Sequence, residues 1–116
     1  MNYIDLFAGA GGLSEGFVCS GFTPIAHIEM DGYACNTLKT RIAYHKLKVN
    51  KQLDIYYNYL QEKITKEKLY SAIPREQLDT VICEKIDKST IDAIFEKIDD
   101  LKKNKKVDLI IGGPPC

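Results

Sequence analysis

The stretch YIDLFAGAGG, residues 3–12, decides the expected fold. Residues 3–7 form a short apolar run of the kind found in buried strands. The glycines that follow do not continue a strand, and they allow a tight turn whose backbone N–H groups are open to a ligand. Residues 13–20 then place Leu13 and Phe17 one helical turn apart. The stretch therefore predicts a strand, a glycine-rich turn and a helix.

The same alternation continues along the chain. Three further apolar runs are predicted to be strands, at residues 24–29, 80–83 and 107–111. Helices are predicted from an Asp31 cap to about Tyr44, and after a Ser89 capping pattern with Asp92. This order indicates an α/β fold in which helices cover both faces of a parallel sheet with strand order 3-2-1-4.

Residues 45 to about 79 are predicted to be an insertion between the second helix and the third strand. Within it, residues 52–64 have helical spacing, with a break at Pro74. Residues 32–53 contain five basic residues and no acid, which indicates a solvated face or, alternatively, a contact to phosphates. Three tyrosines are expected to form a packing face, or else a stacking platform: Tyr56, Tyr57 and Tyr59.

Composition indicates one folded domain, since 45% of the residues are hydrophobic and 28% are charged. Sixteen basic and sixteen acidic residues cancel, so net charge gives no sign of a nucleic-acid partner. The chain shows no apolar run long enough for a membrane span and no signal peptide, and we expect a cytoplasmic bacterial protein. The sequence contains no C-x-x-C pair that would predict a metal site. Three cysteines are expected to be small buried hydrophobic residues: Cys19, Cys35 and Cys83.

The glycine-rich turn favours an adenosine-bearing cofactor. Ser14 takes the last glycine position of the dinucleotide pattern G-x-G-x-x-G, and no P-loop lysine follows. Glu29 ends the second predicted strand eighteen positions after Gly11, close to the spacing of a carboxylate that binds ribose hydroxyls. Because the dinucleotide pattern is defective, S-adenosylmethionine is favoured over NAD.

A second turn, GGPPC at residues 112–116, follows the fourth predicted strand. Its glycines and prolines end the strand and present Cys116 as a candidate nucleophile. In the order 3-2-1-4 the first and fourth strands are neighbours, so both turns leave the same edge of the sheet. We therefore expect Cys116 to lie beside the glycine-rich turn.

Together, residues 5–12, Glu29 and the pair Pro115-Cys116 resemble the cytosine-C5 methyltransferases, which act on DNA and, in one branch, on tRNA. The resemblance implies the N-terminal half of a Rossmann-like, S-adenosylmethionine-dependent catalytic domain spanning residues 1–116. It implies that Cys116 adds to C6 of cytosine in double-stranded DNA, so that C5 accepts the cofactor's methyl group.

The resemblance also implies roles for single residues. Phe7 stacks near the adenine, Glu29 binds the ribose and Met30 covers the adenine face. Lys85 stands where the family has an acid that contacts the adenine, and two nearby acids are the candidates to replace it, Glu84 and Asp87. The full set of implied cofactor residues is Phe7, Gly9, Ala10, Gly11, Gly12, Glu29, Met30, Ile86 and Pro115.

Segments that the family has beyond the Pro-Cys pair do not occur in these 116 residues. We therefore expect the isolated chain to be inactive and to self-associate through the open edge of its fourth strand. Three alternatives remain open: a tRNA methyltransferase, a non-catalytic binding module, and, less favoured, a dinucleotide oxidoreductase.

Overall fold

The computed structural model describes residues 1–114, and the predicted βα alternation is confirmed. The elements in chain order are β1 Asn2–Leu6, α1 Gly12–Cys19, β2 Thr23–Glu29, α2 Gly32–Val49, α3 Leu53–Leu60, α4 Lys66–Ser71, α5 Arg75–Leu78, β3 Val81–Cys83, α6 Ile91–Lys102 and β4 Leu109–Gly112. Within the described part of the chain, no helix combines the length and apolar character needed to cross a membrane.

The four strands form one parallel sheet in the order β3-β2-β1-β4, as predicted. β1 is central, and Ile4 pairs with Ala26 of β2 on one side and with Ile110 of β4 on the other. At the carboxyl edge Leu6 pairs with Gly112. The turns that follow β1 and β4 therefore leave the sheet next to each other.

Helices cover both faces of the sheet, because neighbouring strand residues point to opposite sides. On one face, α6 contributes Ile94 and Ile98 to a buried cluster with Ile4, Ile28 and Ile82. On the other face, α2 packs a second cluster over Ala8 and Val81 through two buried side chains, Cys35 and Leu38. The helix α1 lies on this second face as well, where Ser14 contacts Tyr3 of β1.

The second helix is longer than predicted, since it ends at Val49 and not near Tyr44. Its extra turn is held by tertiary contacts that the local pattern does not reveal. Ala43 and Leu47 are fully buried against Leu69 and Ile73, which belong to the predicted insertion. The insertion therefore begins inside α2 and builds a small core of its own from α3, α4 and α5.

Two local predictions were wrong. The helix expected over residues 52–64 ends at Leu60, and Tyr57 and Leu60 are exposed while Tyr56 and Tyr59 pack into the small core. At α6, the cap is not Ser89. Instead, the Asp87 carboxylate accepts hydrogen bonds from the backbone N–H groups of Ser89 (2.8 Å) and Thr90 (3.2 Å). A hydrogen bond from the Ser89 hydroxyl is the main cause that holds the pKa of Asp87 below its usual value, and the backbone bonds add to it.

The three described thiols differ in environment. Cys35 is 3% exposed and its Sγ lies 3.3 Å from the Glu29 carbonyl oxygen, as expected of a buried thiol. Cys19 and Cys83 are exposed, so their predicted burial was wrong. Cys19 ends the short helix α1 and Cys83 ends the edge strand β3, where few neighbours cover them. Burial, with the nearby Cys83 thiol, raises the pKa of Cys35 to about 12.

Alkylation of the folded protein with iodoacetamide at pH 8 should therefore label Cys19 and Cys83 well before Cys35. Raising the pH to 9 should still leave Cys35 slow, because its thiol stays protonated. Peptide mass spectrometry of a time course measures each rate. Equal labelling of all three thiols in folded protein would contradict the burial of Cys35, and urea-unfolded protein is the control.

Candidate functional site

A cleft of about 510 Å³ lies at the carboxyl ends of β1, β2 and β3. Its lining residues are Phe7, Gly9, Ile28, Glu29, Met30, Glu84, Lys85, Ile86 and Gly113. Five of the residues predicted to bind a cofactor are thus brought together: Phe7, Gly9, Glu29, Met30 and Ile86. Gly113 belongs to the turn after β4, so both predicted turns border this cleft.

Three other predicted residues lie outside the cleft. Ala10, Gly11 and Gly12 do not line the cleft, and Gly11 faces α2 instead. A Cβ at Gly11 would lie 2.7 Å from Cδ2 of Leu38, and its φ of +90° is one that other residues rarely adopt. Gly11 therefore lets the start of α1 approach α2. Pro115 and Cys116 lie outside the described residues.

Phe7 has an unusual backbone at the mouth of the cleft. Its φ is +54°, a left-handed conformation that bulky residues rarely take. The next residue fixes the turn, because the Ala8 N–H donates to the Ile28 carbonyl at 2.9 Å. Such strain costs about 1–3 kcal/mol and persists where neighbouring structure imposes it, often at binding sites.

The Glu29 carboxylate joins the two turns that frame the cleft. Its Oε1 accepts the Gly9 N–H and its Oε2 accepts the Asp31 N–H, both at 2.9 Å. Asp31 in turn caps α2 by accepting the Tyr33 N–H at 3.2 Å. A carboxylate has about four acceptor positions, so each Glu29 oxygen keeps one for a further donor. Its position is fixed by backbone groups before any ligand arrives.

The structure separates the two acids considered as replacements near Lys85. Glu84 lines the cleft, and its N–H donates to the Glu29 carbonyl at 3.0 Å. Its Oε1 lies 3.7 Å from Nζ of Lys97 on α6. Asp87 does not line the cleft, and its carboxylate is occupied in the turn before α6. Glu84 is therefore the acid available inside the cleft.

A buried polar cluster beneath α1 was not found from the sequence. The Tyr3 hydroxyl bonds to the Ser14 hydroxyl, which lies 3.5 Å from Nδ1 of His27, itself 3.9 Å from Oδ2 of Asp5. All four residues are at most 3% exposed, so His27 is a packed strand residue. Burial raises the pKa of Tyr3, although the Ser14 bond opposes this. Ser14 thus replaces a glycine of the dinucleotide pattern with a structural hydroxyl.

Gly112 marks a close approach between β4 and β1. A Cβ at this position would lie 2.4 Å from the Leu6 carbonyl oxygen. A Cβ at the neighbouring Gly113 would meet no atom of the described residues within 4 Å. A side chain at Gly112 would therefore push apart the two strands whose ends border the cleft.

Comparison with known proteins assigns the chain to a family. Residues 1–74 match the family model described as C-5 cytosine-specific DNA methylase. The chain belongs to this family. The matched segment contains β1, the glycine-rich turn, Glu29 and α2, and the observed strand order is consistent with the Rossmann-like methyltransferase fold.

Type II methyltransferases from several organisms align with the chain. The type II methyltransferase M.Bpa9945I of Bacillus paralicheniformis is 35% identical over all of this chain, which covers 31% of that protein. The type II methyltransferase M1.HphI of Haemophilus parahaemolyticus is 28% identical, again over all of the chain and 21% of its own length. The type II methyltransferase M.DdeI of Desulfomicrobium norvegicum is 54% identical over 32% of the chain and 9% of its length. The chain thus spans less than a third of these proteins. No solved structure matches it.

Within residues 1–114, no group of three His, Cys, Asp or Glu side chains is arranged to hold a metal ion. The cleft instead combines apolar walls with one fixed carboxylate and open backbone, which suits an organic ligand.

Proposed function

We propose that this chain is the cofactor-binding part of an enzyme that methylates C5 of cytosine in DNA, with S-adenosylmethionine as the methyl donor. The observation that supports it most is the cleft at the carboxyl edge of the sheet. Five predicted cofactor residues meet there: Phe7, Gly9, Glu29, Met30 and Ile86. Family membership supplies the reaction class.

The cleft fits the adenosine part of the proposed cofactor. Its volume of about 510 Å³ lies in the usual range for ligand clefts, about 300–1,000 Å³. The free acceptor positions of Glu29 suit two ribose hydroxyls, while Phe7, Met30 and Ile86 offer apolar surface for the adenine ring. The Glu84 carboxylate is proposed to accept a hydrogen bond from the adenine amino group. When bound, the cofactor supplies an electrophilic methyl group.

Cys116 is the proposed nucleophile. Cytosine C5 is a weak nucleophile, and addition of a thiolate at C6 produces an enamine that can attack an electrophilic carbon through C5. A base then removes the C5 proton and the cysteine leaves. Gly113, three residues earlier in the chain, lines the cleft, which supports a role for Cys116 next to it. The target base must leave the DNA stack to reach such a site.

The rest of the machinery is proposed to come from further polypeptide, because the chain covers 31% of M.Bpa9945I. We propose that these 116 residues alone transfer no methyl group. In the described sheet β4 is an edge strand, and Ile110 on it is 60% exposed. Self-association of the isolated chain through this edge stays a prediction, as does a cytoplasmic location.

Calorimetry of the full-length gene product with S-adenosylhomocysteine tests the cofactor assignment. We expect one molecule bound per cleft and no binding of NAD at the same concentrations. Exclusion of NAD is expected because Ser14 replaces a glycine of the dinucleotide pattern and is engaged with Tyr3. Binding of NAD in place of S-adenosylhomocysteine would contradict the proposal and favour an oxidoreductase.

A further inference from the structure

A second concave surface runs along the outer side of α2, away from the sheet. This α2 groove has a volume of about 800 Å³. Its lining residues are Glu15, Tyr33, Asn36, Thr37, Thr40, Arg41, Tyr44, His45, Tyr56, Tyr59 and Lys66. The residues from α2 recur every three or four positions, so they form one continuous polar stripe along the helix. Helices α3 and α4 supply the opposite wall.

The α2 groove is depleted of negative charge. Residues 32–53 contain no Asp or Glu, and the only acid among the lining residues is Glu15. Its carboxylate already faces the cationic Nη1 of Arg41 at 3.6 Å and lies 2.8 Å from Nε2 of His45. Lys66 adds a further positive charge. The stripe thus suits an anion of extended shape.

Four of the eleven residues that line the groove are tyrosines. Tyr33 is 86% exposed at the start of α2, whereas Tyr44 and Tyr56 pack edge to face with centroids 5.1 Å apart. Nζ of Lys48 lies 6.0 Å from the centre of the Tyr44 ring, at the far end of the stripe. Alternating cations and aromatic rings are the pattern with which proteins hold a nucleic-acid strand, through phosphates and base stacking.

The α2 groove begins beside the cofactor cleft. Met30 lines the cleft, Asp31 caps α2, and Tyr33 lines the groove, so the four-residue segment 30–33 joins the two surfaces. Asp31 is held by Glu29 through its N–H, which fixes this junction. A polymer that reaches the cleft can therefore continue along α2.

We propose that the α2 groove binds the phosphodiester backbone of a nucleic-acid strand, with Tyr33 as a stacking platform. Arg41, Lys48 and Lys66 contact the phosphates. The choice of DNA as the natural source rests on the proposed function, while the groove itself requires only phosphodiester chemistry. The sequence left open whether the basic residues of segment 32–53 are solvated or contact phosphates. The proposal assigns two of them, Arg41 and Lys48, to phosphate binding.

Fluorescence anisotropy with the full-length gene product tests this, using a 30-base-pair DNA duplex and a tRNA in parallel. The double variant Lys48→Ala/Lys66→Ala should lower the slope of log affinity against log salt by about 2, one for each phosphate contact. Tyr33→Ala should weaken binding about fivefold or more through lost stacking. The control Lys88→Ala/Lys105→Ala removes two exposed lysines outside the groove and should leave the slope unchanged.

Whichever nucleic acid loses affinity identifies the source and supports the proposal. Wild-type slopes for both nucleic acids in the double variant would overturn the proposal. A loss of affinity for poly-L-glutamate alone would also overturn it, in favour of an acidic protein partner. S-adenosylhomocysteine affinity should not change in any of these variants. If the wild-type protein does not bind S-adenosylhomocysteine but the groove variants weaken nucleic-acid binding as expected, only the proposed function is contradicted.

Discussion

Glu29→Ala is expected to lower the affinity for S-adenosylhomocysteine about 100-fold, which corresponds to about 2.7 kcal/mol. The proposed ribose contacts are charge-assisted hydrogen bonds, each with a net contribution of about 1.5–3 kcal/mol. The alanine also releases the Gly9 and Asp31 N–H groups that the carboxylate holds at 2.9 Å. Isothermal titration calorimetry measures the affinity.

Two further variants separate binding from folding. Glu29→Gln keeps an acceptor oxygen but no charge, so it should lose about tenfold, between wild type and alanine. Glu96→Ala removes an exposed acid of α6 outside the cleft and should bind like wild type. If folded Glu29→Ala protein binds S-adenosylhomocysteine as wild type does, Glu29 has no part in holding the cofactor.

Gly112→Ala is expected to lower the free energy of unfolding by about 3 kcal/mol. The new Cβ would lie 2.4 Å from the Leu6 carbonyl oxygen, and a backbone atom inside a paired strand has little freedom to move away. Overpacking of this kind typically costs about 1–3 kcal/mol, and the rigid neighbour sets the upper end. Urea unfolding followed by circular dichroism gives the difference.

The matched control is Gly113→Ala, where a Cβ would meet no atom within 4 Å among residues 1–114. It should unfold within about 0.5 kcal/mol of wild type. Equal stabilities for the two alanine variants would mean that β4 does not lie against β1 as described. Because Gly113 lines the cleft, the comparison concerns stability and not ligand binding.

Strand order and the cleft could be predicted because each depends on short local signals and on one topological rule. A glycine-rich turn after β1 and an acid at the end of β2 are visible in the sequence, and right-handed crossovers leave few arrangements for four parallel strands. The strand ends then converge on one edge. Phe7, Glu29 and Ile86 meet in the cleft for this reason, although 79 positions separate the first from the last.

Features that depend on tertiary contacts could not be predicted. The extra turn of α2 exists because Leu47 packs against residues of the insertion. The packing of Leu38 against Gly11, which the missing side chain allows, was not foreseen, while the cofactor role of Gly11 stays a prediction. Cys83 was expected to be buried, but β3 lies at the sheet edge.

The most direct test of the account is a trapping experiment with the full-length gene product, S-adenosylmethionine and duplex DNA containing 5-fluorocytosine in all short sequence contexts. Fluorine replaces the hydrogen that must leave C5, so the covalent complex should persist through a denaturing gel. Mass spectrometry should locate the linkage at Cys116, Cys116→Ala should form none, and 5-fluorocytosine tRNA should form none. A folded protein that binds S-adenosylhomocysteine yet forms no adduct with DNA, or forms one that survives Cys116→Ala, would contradict the account.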